Sequence, residues 1–478
     1  MKFPFGLFEK IIPPILSKKY QNFMADWLNR STCKLCYNPK KYPIIGQAMN
    51  CIYTSDNTFK EHFKALLGRG KMDMRTVTPV VQAIIEEIQD KGDEALKSHI
   101  SRFDKWEPAA PEDVRIDTEA MKKAYEALEE PLKHALHVAY ERIRTYHQKQ
   151  LPKSWMTYEE NGTVLGQKVT AVDRAGLYIP GGKAAYPSSL LMNAIPALVA
   201  GVKEIVVCTP APSNELNHLL LAALHLCGIT HAYKVGGASA IAAMAYGTDV
   251  IPKVDVITGP GNIFVATAKK MVYGDVNIDM IAGPSEIGIL ADGTANPRLV
   301  AIDLLSQAEH DEMASSILIT PDEALAKAVM QEVEAYLPRL SREKIARESI
   351  QKRGAVIVTR DMDEAVELMN AIAPEHLEVM THNPFDVLPK IRHAGAIFMG
   401  HHTPEPIGDY IAGPNHTLPT GGTARFYSPL NVENFMKKSS IISMSKAGLE
   451  AIGPSCALLA HCEGLTAHEA SLRERLGQ

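Results

Sequence analysis

From about residue 171 the chain alternates short β-rich runs with helical runs, and this alternation restricts the available folds more than any other feature. The runs RAGLYIPG, EIVVCTP, HAYKVGG, VDVITGPG, IGILAD, SSILIT, GAVIVT and GAIFMG have the β-branched and apolar content of buried strands. Between them, SSLLMNAIPALVAGV, NIFVATAKKMVYG, DEALAKAVMQEVEAYL and MDEAVELMNAI have helical length and spacing. Strands separated by helices need crossovers, which build a largely parallel sheet. The strands are too many for one nucleotide-binding half. The expectation is therefore an α/β chain of two doubly wound units, split around residues 281–289.

Before this region, residues 58–150 read as helical, with apolar positions three and four apart in VVQAIIEEIQDKGDEAL and in MKKAYEALEEPLKHALHVAYERIRTYHQ. Gly92 reads as a helix end, and Gly162 and Val164 introduce short strands. Residues 1–48 match no clear period and read as an extension of unknown role, with Met49 as an alternative start. After about residue 400 the chain is rich in loops. Its last segment, SKAGLEAIGPSCALLAHCEGLTAHEASLRERL, reads as two amphipathic helices joined near Gly464, an arm suited to packing on a neighbouring domain or subunit.

Composition removes several classes of function. The 478 residues are 46% hydrophobic and 22% charged, as in a soluble globular protein, and a net charge of −5 argues against nucleic acid or an anionic membrane as the main partner. The most apolar run, LLMNAIPALVAGV, is too short to span a bilayer and contains Asn193 and Pro196. The N-terminal residues lack an unbroken apolar stretch of signal-peptide type. Seven scattered cysteines read as reduced thiols, which points to the cytoplasm. Cys33 and Cys36 form a C-x-x-C, without the second pair that zinc would need or the strand-helix context of a redox site.

Three groups of residues could carry chemistry. Gln307 and His310, in LLSQAEH, stand three apart at a helix end, so they project together and could share a metal ion. Asp409, in GDYIAGPNH, and His468, in EGLTAH, could complete such a set, although no short-range zinc spacing links them. Glu375 and His376 are two adjacent proton-moving groups that an irregular turn could aim into one cleft. The turns YIPGGK, ITGPGN and MIAGPSE follow strands, where exposed N–H groups can hold phosphates. Residues 259–264 lack the third glycine of G-x-G-x-x-G. Taken singly, each group also reads as ordinary turn, cap or surface chemistry.

Taken together, AGLYIPGG, VDVITGPGN, IAGPSE, LLSQAEH, APEHLE, GDYIAGPNHTLPTGGTARF and EGLTAH resemble the histidinol dehydrogenases, from about residue 55 to the C-terminus. The resemblance implies oxidation of L-histidinol to L-histidine with two NAD and one water, the end of histidine biosynthesis. It implies zinc bound by Gln307, His310, Asp409 and His468, and catalysis by Glu375 and His376. Substrate contacts then fall on Ser285 and Glu463, on His376 and on the four ligand positions, with His416 as a further pocket histidine. NAD contacts fall on Tyr178, Asn262 and position 239, where the family has Gln and this chain has Ser239. The implied fold has two incomplete Rossmann-like units. Residues 74–176 with 286–428 form the first and 177–285 the second, flanked by a small helical segment at 49–73 and a helical arm at 429–478. The implied assembly is a homodimer in which the arm carries Glu463 and His468 into the partner's site. The alternatives are a related dehydrogenase for another small polar alcohol, a zinc hydrolase and a non-catalytic nucleotide-binding module. Retention of EGLTAH argues against the first of these.

Overall fold

The computed structural model describes residues 49–70, 73–181 and 187–478; the expected extension at 1–48, with Cys33 and Cys36, lies outside them. The strands begin with β1 (Asn50–Tyr53), β2 (Trp155–Tyr158), β3 (Val164–Ala171), β4 (Arg174–Tyr178), β5 (Glu204–Thr209), β6 (His231–Lys234) and β7 (Val256–Thr258). They continue with β8 (Asn277–Ile278), β9 (Glu286–Ala291), β10 (Ser315–Thr320), β11 (Ala355–Val358), β12 (His376–Met380), β13 (Ala396–Met399) and β14 (Met436–Ser443).

A five-stranded parallel sheet has the order β6-β5-β4-β7-β8, and a six-stranded parallel sheet the order β1-β11-β10-β9-β12-β13. The five-stranded sheet starts in its interior at β4, runs to one edge and resumes on the other side of β4; the six-stranded sheet repeats this pattern from β9, with β1, from earlier in the chain, added beyond β11. The expected pair of doubly wound units is present, with switch points between β4 and β7 and between β9 and β12.

Strands β9, β10 and β11 are buried along their whole length, as strands covered on both faces must be. Their side chains alternate between two layers. Leu290, Ile317, Ile319 and Ile357 pack with Leu377 and Val379 on one face. Ile287, Ile289, Leu318 and Val356 pack on the other face against Val300, Leu304 and Leu305 of helix Pro297–Ala308. That face fixes the rotation of the helix, and with it the direction in which Gln307 points.

Two features depart from the sequence reading. The segment 49–73, expected to be helical, opens with β1, which pairs with β11 at the sheet edge before helix Phe59–Leu67 begins. NCIY is too short to show a period, and its strand state comes from its neighbour. The expected division groups residues 74–176 with 286–428, whereas the helices between 78 and 148 bury their apolar faces on the five-stranded sheet. Val81, Ile84 and Ile88 cover one of its faces, and Met121, Leu136 and Ile143 the other.

Strands β2, β3 and β14 form an antiparallel sheet that leads into helices Lys446–Cys462 and Thr466–Leu476, turned at Gly464 with φ +74°. Ile452, Leu458 and Leu459 on this arm are mostly exposed. No described helix is long and apolar enough to cross a membrane. Cys51, Cys208, Cys227, Cys456 and Cys462 are free thiols.

One connection positions the chemistry. The chain leaves the carboxyl end of β8 and enters the amino end of β9 through residues 279–285. The carboxyl edge of one sheet therefore adjoins the amino edge of the other.

Candidate active site

Strand β12 begins at His376 and lies parallel to β9, with His376 opposite Ile287. The residue before that partner holds both candidate catalytic side chains. The Glu286 N–H donates to Glu375 Oε2 (2.9 Å), and the Glu286 carbonyl lies 3.1 Å from His376 Nδ1. A carbonyl can only accept, so Nδ1 carries the hydrogen and Nε2 is left for the site. Nε2 lies 3.5 Å from Asp409 Oδ1, on the short helix Glu405–Tyr410. Two residues adjacent in sequence thus reach one cleft, because the backbone N–H and carbonyl of a single residue, Glu286, anchor one each.

The electrostatics suit proton transfer. Burial opposes charge on His376, but the carboxylates of Glu405, Glu375 and Asp409 outweigh it and hold the imidazole well above its ordinary pKa. Burial pushes Glu375 up to about 8, with His376 pulling the other way. Burial would also raise Asp409, yet the His376 contact and charge keep it below the usual range.

Beside this pair, His310, Glu405 and Asp409 offer ligand atoms that all lie within 4.8 Å of one another. Gln307 sits in the last turn of its helix, and the His310 N–H donates to its carbonyl at 3.2 Å. The Gln307 side chain is fully buried, and neither its Oε1 nor its Nε2 has a partner among the described residues. A buried amide without partners costs about 1–3 kcal/mol. Such a residue beside an imidazole and a carboxylate fits an ion that takes mixed nitrogen and oxygen donors. Protein atoms packed around His310 lower its pKa and favour the neutral, ligating form. Burial does the same for His416, whose Nδ1 lies 2.9 Å from the Asp409 carbonyl, leaving its Nε2 unprotonated.

The structure therefore unites His310 and Asp409 with Glu375 and His376, and adds Glu405, which the sequence reading missed. Its signal was present, four residues before Asp409 on one helix face. Glu378 was also missed. It stands two residues after His376 on β12, and its Oε1 accepts from the Glu405 N–H at 2.8 Å, fixing the start of that helix. Ser285, half-buried, immediately precedes β9, and its carbonyl accepts from the Ser315 N–H at 3.0 Å. Glu463 and His468 stand exposed on the arm, and His468 is not part of the cluster within one chain.

Behind the site, Arg69 Nη2 donates to Glu286 Oε2 at 2.9 Å, with both side chains buried. Removing one member of such a pair leaves the other charge uncompensated. Arg69→Met is expected to lower stability by about 3–5 kcal/mol, read from urea denaturation. A loss below about 1 kcal/mol would show that Glu286 is neutral without its partner.

A cavity of about 370 Å³ lies at the carboxyl edge of the five-stranded sheet and brings together Tyr178, Ser239 and Asn262. Tyr178 ends β4, and its hydroxyl accepts from the Gly237 N–H at 3.2 Å. Asn262 caps helix Ile263–Val272, accepting from the N–H groups of Phe264 (3.0 Å) and Val265 (3.2 Å). The turn between them requires glycine at 259, where φ is +119° and a Cβ would lie 2.0 Å from the Tyr178 carbonyl oxygen. Asp279 accepts from the Gly259 N–H (2.8 Å) while Lys269, paired with Asp279, donates to the Gly259 carbonyl (2.9 Å).

Ser239 Oγ lies 3.0 Å from His99 Nδ1, and His99 Nε2 lies 2.6 Å from Glu87 Oε2. A carboxylate needs a donor, so Nε2 carries the hydrogen and Nδ1 accepts from the serine. The Ser239 lone pairs are left to the cavity. His99 gave no signal in the sequence, since its neighbours read as plain amphipathic helix.

The histidinol dehydrogenase family model matches residues 67–476. Histidinol dehydrogenase of Sulfurimonas denitrificans is 69% identical over 423 residues, covering 88% of this chain and 98% of the relative. That of Wolinella succinogenes is 67% identical over 418 residues, covering 87% and 97%. The crystal structure of histidinol dehydrogenase from Elizabethkingia anophelis superposes with a TM-score of 0.85 at 35% identity, covering 91% of this chain and 99% of that one.

Proposed function

The chain belongs to the histidinol dehydrogenase family, oxidoreductases of histidine biosynthesis, and on that premise we propose that it oxidises L-histidinol to L-histidine at a single site through a bound aldehyde. Two NAD and one water are consumed per histidinol. The observation that carries the reading is the anchoring of Glu375 and His376 by the backbone N–H and carbonyl of Glu286 beside the His310–Asp409 cluster.

Gln307, His310 and Asp409, with His468 of the partner subunit, would hold zinc, which when bound supplies a positive template for the substrate's amine and imidazole nitrogens. NAD supplies the hydride acceptor for each step. His376 Nε2 takes the hydroxyl proton as hydride leaves the adjoining carbon. Three carboxylates hold a proton on this ring, and engaging Asp409 with a cation removes one of them, so the ring can act as a base. Glu375, once ionised, takes a proton from water, whose oxygen adds to the aldehyde carbon while protonated His376 returns its proton to the carbonyl oxygen. The resulting hydrate has one hydroxyl proton for His376 and one hydride for the second NAD, and the product is the carboxylic acid. Ser285, and Glu463 of the partner subunit, would hydrogen-bond the substrate.

The homodimer is supported by the arm, whose exposed Leu458 and Leu459 need cover, and by the absence of His468 from the cluster in one chain. The reduced thiols fit a cytoplasmic enzyme. The domain division keeps residues 429–478 as that arm. The test is the number of NADH formed per L-histidinol by zinc-loaded protein.

A further inference from the structure

We propose that Asp104 holds the ribose hydroxyls of the dinucleotide and selects NAD over its 2′-phosphorylated form, an assignment that rests on the NAD reading above. Asp104 lines the 370 Å³ cavity together with Tyr178, Ser239 and Asn262. It is 8% exposed, and its carboxylate makes no hydrogen bond or ion pair with any described residue. Burial without a compensating partner pushes it up to about 6, so it is ionised at neutral and alkaline pH. Its charge is also felt by the Tyr178 phenol, which places the two groups in one part of the cavity.

The position is built. Asp104 closes helix Asp93–Phe103, with its N–H donating to the Ile100 carbonyl at 2.8 Å. Its own carbonyl accepts from the Ser213 N–H at 2.7 Å. Lys105, Ser213 and Asn214 all hold positive φ, of 59°, 56° and 64°. Non-glycine residues adopt that region at a cost, and they persist in it where the surrounding structure demands it. Two strained segments thus meet at the backbone of an acid whose side chain has nothing to bond.

A buried carboxylate without donors is unfavourable, and an adjacent pair of hydroxyls is its natural complement. Nucleotide-binding α/β folds generally place an acid on the ribose for this purpose. In those folds the acid follows a glycine-rich turn at a fixed distance. Here it comes from a helix that precedes the sheet, so sequence spacing could not reveal it. A 2′-phosphate in the same place would set two anions together, with Phe103 and Phe264 among the apolar walls and no lysine or arginine among the described lining residues.

The experiment uses full-length, zinc-loaded protein as wild type, Asp104→Asn and Asp104→Ser. NADH and NADPH binding are measured by fluorescence titration, alongside KM values for NAD and L-histidinol. Wild type is expected to bind NADH at least about tenfold tighter than NADPH, since a charge-assisted pair of hydrogen bonds is at stake. Asp104→Asn should weaken NADH about tenfold or more, cut the NADH/NADPH ratio by a similar factor, and leave the histidinol KM within about twofold. It should melt no lower than wild type, because it removes an unpaired buried charge. Should Asn accept the diol by its amide oxygen, the Ser variant still shows the loss. Variants that both retain the wild-type NADH/NADPH ratio overturn the assignment to Asp104. A wild type that does not reduce NAD with histidinol overturns the reading beneath it, a distinct outcome.

Discussion

Glu375→Gln is expected to release the first NADH from L-histidinol nearly normally and to slow the second by about 10²–10⁴-fold, the usual contribution of a general base. The geometry demands this asymmetry. Alcohol oxidation needs a base only for the hydroxyl proton, which His376 Nε2 is placed to take. Aldehyde oxidation needs water as well, and Glu375 is the carboxylate anchored beside that imidazole. The amide can keep the hydrogen bond from Glu286 but cannot take a proton. Single-turnover NADH formation from histidinol and from histidinal separates the two steps. Equal losses in both would remove the role assigned to Glu375.

The same residue sets a pH dependence. Burial raises Glu375 to about 8, and a base works only when ionised, so the aldehyde step should grow as pH rises through about 8 and fade below it. Glu375→Gln should lose that dependence along with the rate. The linkage to stability runs the opposite way. A pKa raised in the fold means that the stability from neutral Glu375, fully present below its ordinary value of 4.5, is lost as pH rises through about 8. The variant should therefore gain on wild type in melting temperature over that range.

His310→Ala should remove zinc from the site and raise the histidinol KM by about tenfold or more. The imidazole is one donor of a cluster whose ligand atoms lie within 4.8 Å, and the neighbouring Gln307 amide has no other described partner. Without His310, the Gln307 amide and the Asp409 and Glu405 carboxylates remain on this chain, a set better matched to harder ions. Metal analysis after dialysis against chelator, together with KM values at saturating zinc, reads both effects. Full zinc retention would remove His310 from the ligand set.

The alternation of strands and helices was enough to foretell two doubly wound units, because buried parallel strands and their crossovers each leave a compositional mark. The i, i+3 relation of Gln307 and His310 was equally legible, since a helix end fixes it locally. The meeting of His310 with Asp409 was not, because a hundred residues of sheet and helix intervene and only the register of β9 against β12 closes the gap. Recognition of the family supplied that pairing; spacing did not. Glu405 was overlooked for a different reason. PEPIGDY is too short and too rich in proline and glycine to read as a helix, so its Glu and Asp were not seen to share a face. Tyr178, Ser239 and Asn262 lie far apart in sequence and meet because the switch point between β4 and β7 gathers them.

The central claim is that one cleft carries an amino alcohol through both oxidations without releasing the aldehyde. It is tested most directly by counting NADH formed from a limiting amount of L-histidinol, with zinc and excess NAD, in the presence of an aldehyde-trapping hydrazine. The account predicts two NADH per histidinol and L-histidine as the product, with or without the trap. One NADH per histidinol, with the aldehyde captured by hydrazine, would contradict it.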